Sequence, residues 1–227
     1  MPKSCSSGTH IILLYETESD LIRIFAPFFA AGLKNNEFCI GIYPNRHVKQ
    51  KLIDGLSKLV NIKQFINQNQ IQFIYYKDFY FKKDMFSKVK VYSFIDKKLN
   101  SARFEGLDGI RGAGDMSWVR NAFFKKVLVY EKGLTKKYRK SPIIVMCAYP
   151  VKKLAIHDLI DMIQSHTLIL YKKGRKFCLS ETTERRILIE ERDGLEKFNK
   201  VAVDRELKMI ELKEKIAELE KKIGIKH

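Results

Sequence analysis

Six short segments rich in branched and aromatic residues recur along this chain, and nearly all of them are followed by a turn and a helical pattern. His10-Ile-Ile-Leu-Leu-Tyr15, Phe38-Cys-Ile-Gly-Ile-Tyr43, Ile71-Gln-Phe-Ile-Tyr-Tyr76, Leu107 to Arg111, Ile143-Ile-Val-Met-Cys-Ala148 and Thr167-Leu-Ile-Leu-Tyr171 have the length of strands. Most are apolar at every position, the pattern of strands buried on both faces. Helical spacing fills the intervals: Leu21 to Gly32, Arg46 to Leu59, Val60 to Gln68, and residues 84–103, 117–139 and 154–164. Such alternation specifies an α/β fold, a mostly parallel central sheet with helices on both faces. Right-handed crossovers gather the strand C-termini on one edge, where ligands of open α/β sheets bind. That edge is expected to collect Tyr15, Glu16, Tyr43, Tyr76, Arg111 to Asp115, Cys147 and Tyr149.

The charge is lopsided. The net of +17 lies entirely in residues 1–180, because 181–227 carry twelve basic and twelve acidic groups. Residues 77–140 hold seventeen basic and seven acidic groups, mostly lysines on helical patterns. Arg-rich base-reading patterns and aromatic-glycine RNA signatures are absent, which argues against nucleic acid as the partner. A basic nucleic-acid adaptor stays an alternative reading of that stretch. No apolar run reaches the roughly 18 residues that cross a bilayer, and the N-terminus lacks a signal-peptide core, so no membrane partner and a cytoplasmic location are expected. Cys5, Cys39, Cys147 and Cys178 form no CxxC pair; their spacing argues against a disulfide framework or a zinc site, and neither metal nor cofactor is expected.

Catalytic signatures are missing. The turn after Tyr15 is Glu-Thr-Glu-Ser-Asp, without glycine or lysine, where a nucleotide-binding α/β protein carries its phosphate loop. GxSxG and HExxH do not occur. The most informative stretch is Gly106 to Trp118, with four of the twelve glycines and the single Trp. It reads as a short strand opening through a glycine turn into a helix from Ser117. Asp115 or Ser117 can serve there as a cap, or the turn can approach a ligand closely. Candidate ligand-binding residues are Tyr15, Glu16, Arg111, Asp115, Trp118, Cys147 and Tyr149. Arg111 can pair with Asp115 or clamp a small anion. Cys147 reads as inert packing, with no base in view. His10 and His166 are secondary candidates, both more readily structural, His10 because it begins its strand.

From Glu181 the chain turns helical and charge-alternating, which divides it into an α/β domain (1–180) and a helical connector (181–227). Met209, Leu212, Ile216, Leu219 and Ile223 follow 3-4-3-4 spacing with Ile at a and Leu at d, the pattern of a parallel dimer. One amphipathic helix packed back on the domain is the other reading.

Several segments together resemble the MEDS domain, the sensory domain of methanogen and methylotroph regulators and of the dichloromethane-dehalogenase repressor. They are Gly8-Thr-His10 with Leu14-Tyr15-Glu16, Pro27-Phe28 with Gly32-Leu33, Ile110-Arg-Gly-Ala-Gly-Asp-Met-Ser-Trp118, Cys147-Ala-Tyr-Pro150, and His166. The resemblance covers about residues 8–178 and implies a non-catalytic sensor of simple hydrocarbon derivatives such as methanol or methylamine. It further implies a degenerate relative of the RecA/KaiC ATPase core, consistent with the missing phosphate loop. A nucleotide-binding RecA-like ATPase relative is the enzyme alternative. The heptad spacing points to a homodimer, and the tail resembles the helical connector that precedes a histidine-kinase or other output module, which implies either an output protein in trans or a free-standing or truncated sensor.

Overall fold

The computed structural model describes residues 8–223, without the side chains of 121, 184, 186, 188, 189, 191–193, 196, 197 and 217–223. The elements run β1 (Thr9–Tyr15), α1 (Glu18–Lys34), β2 (Glu37–Tyr43), α2 (Arg46–Ser57), α3 (Ile62–Asn67), β3 (Ile71–Tyr75), α4 (Tyr76–Tyr80), β4 (Phe81–Lys82), β5 (Met85–Phe86) and α5 (Lys88–Phe104). They continue with β6 (Gly109–Asp115), α6 (Asn121–Tyr138), β7 (Ile143–Pro150), α7 (Ile156–Gln164), β8 (Leu168–Lys173), β9 (Lys176–Glu181) and α8 (Thr183–Ile223).

Seven strands form one sheet in the order β3-β2-β6-β7-β1-β8-β9. All pairings are parallel except β8–β9. The expected mostly parallel sheet is therefore present, with an antiparallel strand added at one edge. That added hairpin turns at Gly174, whose φ of 61° favours a residue without Cβ.

The side-chain alternation of the strands feeds two cores. Ile11, Leu13 and Tyr15 of β1 pack with α1, α2 and α3, around Leu21, Phe25, Phe29, Leu52 and Ile62. Ile12 and Leu14 pack with the opposite layer, where Phe79, Val91, Ile95, Val127, Leu134 and Met162 come from α4 to α7. Strands apolar at every position are what this sandwich demands. Helix starts follow local chemistry: Thr17 caps α1 in a capping box with Asp20, and Asn45 caps α2 through Val48 N at 3.0 Å. Pro27 sits inside α1 without ending it.

Two expectations change. The segment read as a strand over 107–111 followed by a glycine turn is a strand over Gly109–Asp115, so its glycines lie within the sheet and α6 starts only at Asn121. Gly114 is there because Tyr80 presses on it: an added Cβ would lie 2.7 Å from the Tyr80 hydroxyl. Residues 76–86, read partly as helix, fold instead into α4 and the β4–β5 hairpin. Lys83 and Asp84, at φ of 49° and 55°, form its turn.

The chain divides into two compact units after Glu184. Along α8, a helix of 41 residues, the side chains of Met209, Leu212 and Ile216 are exposed in the single chain. Leu219 and Ile223 lie outside the residues whose side chains are described.

Candidate functional site

The C-terminal ends of β3, β6 and β7 open onto a cavity of about 840 Å³. Tyr76, Phe81, Trp118 and Phe123 form its apolar wall, with Lys77, Asp84, Arg120 and Lys153 as charged groups. Trp118 is fixed by rings on several sides: Tyr76 stacks on it at 5.7 Å, and Tyr80 and Phe81 stand at 4.9 and 5.2 Å. Its indole N–H is buried without a hydrogen-bond partner. A buried donor of that kind carries a desolvation cost.

Asp115 ends β6 beside this cavity. It accepts hydrogen bonds from the Tyr15 hydroxyl at 2.9 Å and the Ser117 amide at 2.8 Å. Burial pushes its carboxyl above the ordinary range, although Ser117, Tyr15 and Lys153 favour the charged form. Burial and the Asp115 charge push the Tyr15 phenol up. Glu16, one residue on, is exposed and 3.7 Å from the Lys172 ammonium.

Cys147, Tyr149, His10 and His166 meet elsewhere, in a buried polar cluster between the sheet and α6. β1 and β7 pair in parallel, which sets His10 across from Val145 and Ile12 across from Cys147. His166, directly before β8, lies with its ring 3.9 Å from that of His10. From α6, Glu131 projects inward: its carboxylate accepts from the Tyr149 hydroxyl and lies 3.4 Å from Cys147 Sγ and 3.2 Å from His10 Nε2. His10 is thus not remote from Cys147, and Cys147 does have a base beside it at 3.5 Å. Burial lowers both His10 and His166 to about 3, so both imidazoles are neutral at pH 7 and the His10–Glu131 contact is not an ion pair. Burial raises Glu131, against His166, Tyr149 and Cys147, and raises the Cys147 thiol.

Glu131 escaped the sequence reading because lysines surround it. The available signal was its place on the apolar stripe Val127, Tyr130, Leu134, Tyr138, where a charge has no solvent to face.

Arg111 does not reach the cavity edge. It is the third residue of β6 and donates to Glu37 Oε1 from Nη2 at 2.9 Å, with Nε on the other carboxylate oxygen. Its guanidinium lies 4.9 Å from the centre of the Phe28 ring. Gly32 provides the room, since a Cβ there would stand 2.6 Å from Arg111 Cδ. The partner is Glu37 rather than Asp115 because β2 and β6 pair with Cys39 across from Arg111, which leaves Glu37, two residues earlier on β2, within reach, while Asp115 lies four residues further along β6.

The β1–α1 connection is two residues long, Glu16 and Thr17. Asp20 closes the helix start, its carboxylate accepting from the Thr17 amide and hydroxyl. An anion-binding helix N-terminus needs exposed amides and no acid. A mostly parallel sheet covered by helices on both faces, with a short acidic loop after its first strand, defines a class of α/β core without a phosphate loop. The fold is similar to that of the KaiC-like protein PH0186 from Pyrococcus horikoshii OT3, at a TM-score of 0.52 and 10% identity over 78% of this chain and 81% of that one. It is also similar to uncharacterized protein PH0321 from Pyrococcus horikoshii, solved in complex with an unknown peptide, at a TM-score of 0.57 and 15% identity over 81% of this chain and 87% of that one. At these identities the likeness shows the fold alone.

Within that class, the chain belongs to the MEDS family, the MEthanogen/methylotroph, DcmR Sensory domain, whose profile matches residues 9–167. It is 22% identical over 161 residues to the transcriptional repressor DcmR of Methylorubrum extorquens (strain DSM 6343 / CIP 106787 / DM4), 69% of this chain and 57% of the repressor. The chain thus spans little more than half the length of that relative. Among the described residues no helix is long and apolar enough to cross a membrane.

Proposed function

We propose that this chain is a non-catalytic sensory module of a signalling or transcription-regulating system, and that its ligand enters the cavity beside Trp118. The observation that carries the reading is a cavity of about 840 Å³ with an aromatic wall around Trp118 at the strand C-termini, the edge where open α/β sheets hold ligands. Family membership supports the sensory role. Tyr15 and Asp115 brace the edge, while Lys153 and Arg120 offer cations to a polar or anionic group. The volume suits a ligand larger than a single-carbon compound. Methanol and methylamine therefore belong in the screen beside larger molecules that carry an acceptor on an apolar body.

Occupancy would be read out through α8. Its exposed Met209, Leu212 and Ile216 continue in sequence to Leu219 and Ile223 as the seam of a parallel homodimer. A change at the cavity would then bias the pose of two such helices and, through them, a histidine kinase or other output protein in trans. Nucleotide hydrolysis is disfavoured by the capped, acidic start of α1. A thermal-shift screen with methanol, methylamine, small carboxylates and ATP with magnesium tests the sensing claim. Stabilisation by one non-nucleotide compound supports it; stabilisation by ATP–magnesium alone would favour the ATPase-like reading instead.

A further inference from the structure

His10 Nε2, Glu131 Oε2, Cys147 Sγ and His166 Nε2 all lie within 4.8 Å of one another, on four buried residues drawn from β1, α6, β7 and the turn before β8. The surrounding hydrogen bonds decide where the protons are. Thr135 donates its hydroxyl hydrogen to the Ser165 carbonyl at 2.7 Å, so toward His10 Nδ1, also 2.7 Å away, it can only accept. The Met162 carbonyl accepts from His166 Nδ1 at 2.7 Å. Both imidazoles therefore carry their proton on Nδ1 and turn the Nε2 lone pair toward the same carboxylate oxygen. Three acceptors converge, and the only built-in donor among the four atoms is the weak Cys147 thiol. One proton on Glu131 would satisfy one imidazole and leave the other; His166 Nε2 has no hydrogen-bond partner. A cation answers all four at once.

The spacing fits such an ion. Bonds of about 2.0–2.1 Å to nitrogen and oxygen and about 2.3 Å to sulfur give a tetrahedron with edges of about 3.3–3.6 Å. Four of the six separations are 3.2 Å for His10–Glu131, 3.4 Å for Cys147–Glu131, 3.5 Å for His10–Cys147 and 3.7 Å for His166–Glu131; the two from His166 to His10 and Cys147 lie within 4.8 Å, so seating the ion draws the His166 ring inward. We propose that His10, Glu131, Cys147 and His166 form a tetrahedral binding site for one divalent transition-metal ion of zinc's size and borderline softness. Nitrogen, oxygen and thiolate donors select that class over magnesium or calcium. Carboxylate plus thiolate balance the ion's charge, so the loaded site is neutral in a dry interior. On loading, the thiol proton of Cys147 leaves to solvent and a metal–sulfur bond takes its place. Four protein ligands leave no open position, which makes the ion a structural clasp. Thr135, the Met162 carbonyl and the Tyr149 hydroxyl are the positioning groups that orient His10, His166 and Glu131.

Sequence spacing argued against zinc because the ligands come from four separate elements instead of one CxxC-type loop. The cavity residues are a different set, so this inference stands apart from the sensory reading.

The ligands are buried, so metal is best offered during folding. The full chain is refolded with one equivalent of Co²⁺, passed through a desalting column, and its absorption and metal content are measured. The expected result is about one retained ion per chain, with sulfur-to-cobalt charge transfer in the near ultraviolet and tetrahedral bands in the visible. Cys147→Ala should lose the charge-transfer band, while Cys178→Ala, a control thiol outside the cluster, should keep it. Thr135→Val keeps all four ligands and should keep the band while weakening affinity by about 10–100-fold. Wild-type protein that refolds to its native circular dichroism yet retains no cobalt overturns the proposal. So does a charge-transfer band that survives Cys147→Ala.

Discussion

Arg111 and Trp118 lie seven positions apart and answer to different demands. Arg111 is a structural cation: it is 7% exposed, clamped by Glu37 and covered by Phe28. Arg111→Met leaves the Glu37 carboxylate without its partner and should cost about 3 kcal/mol, the lower end for breaking a buried pair. Urea denaturation measures that loss, and ligand response in the same variant should be unchanged. Gly114→Ala forces a methyl toward Tyr80, itself wedged between Phe79, Trp118 and Tyr130, and should cost about 1–3 kcal/mol by overpacking. At this scale the sequence was a partial guide. Asp115 and Trp118 could be placed at the C-terminal edge of the sheet because they lie at and just beyond the end of a strand. The partner of Arg111 could not, because it depends on the β2–β6 register, which sequence order does not set.

Elements were more legible than their ends. Runs such as Ile143 to Ala148 have no polar face, and only a parallel sheet covered on both sides accommodates them. Residues 76–86 were not legible, since a five-residue helix and two-residue strands are held by aromatic packing around Trp118 rather than by periodicity. The start of α1 gives a pH prediction. Burial alone would raise the Asp20 carboxyl, but the Lys172 ammonium at 2.9 Å and the Thr17 hydroxyl and amide outweigh it and hold the group below the ordinary range. A carboxyl lowered in the folded state stabilises above its unfolded value, about 3.9, and that stability is lost as pH falls through the folded value. Asp20→Asn should therefore be less stable than wild type at pH 7, with the gap narrowing below about pH 4. Urea midpoints across that range check the sign.

At the scale of the whole molecule, the core and the tail fit a regulatory module. The parallel sheet provides the edge and the cavity, and α8 presents an apolar stripe along a charged helix. If the stripe is a dimer seam, light scattering should give twice the 26.6 kDa chain mass. The doublet Leu212→Glu with Ile216→Glu should give one chain mass while keeping the native circular dichroism of the α/β unit. The fold was legible because burial on both faces leaves a mark at every strand position. The polar cluster was not, because the parallel pairing of β1 with β7 and β8 brings His10, Cys147 and His166 together and the packing of α6 on the sheet adds Glu131.

The sole tryptophan lies on the cavity wall, so its fluorescence reports directly on the sensory claim. Wild type, Arg111→Met and Phe123→Ala are each titrated with the compounds of the thermal-shift screen while Trp118 emission is followed. A sensory role predicts a saturable change with at least one non-nucleotide compound, matched by Arg111→Met and weakened at least severalfold in Phe123→Ala. No saturable change with any of them, in wild-type protein that is folded and single in mass, would contradict it.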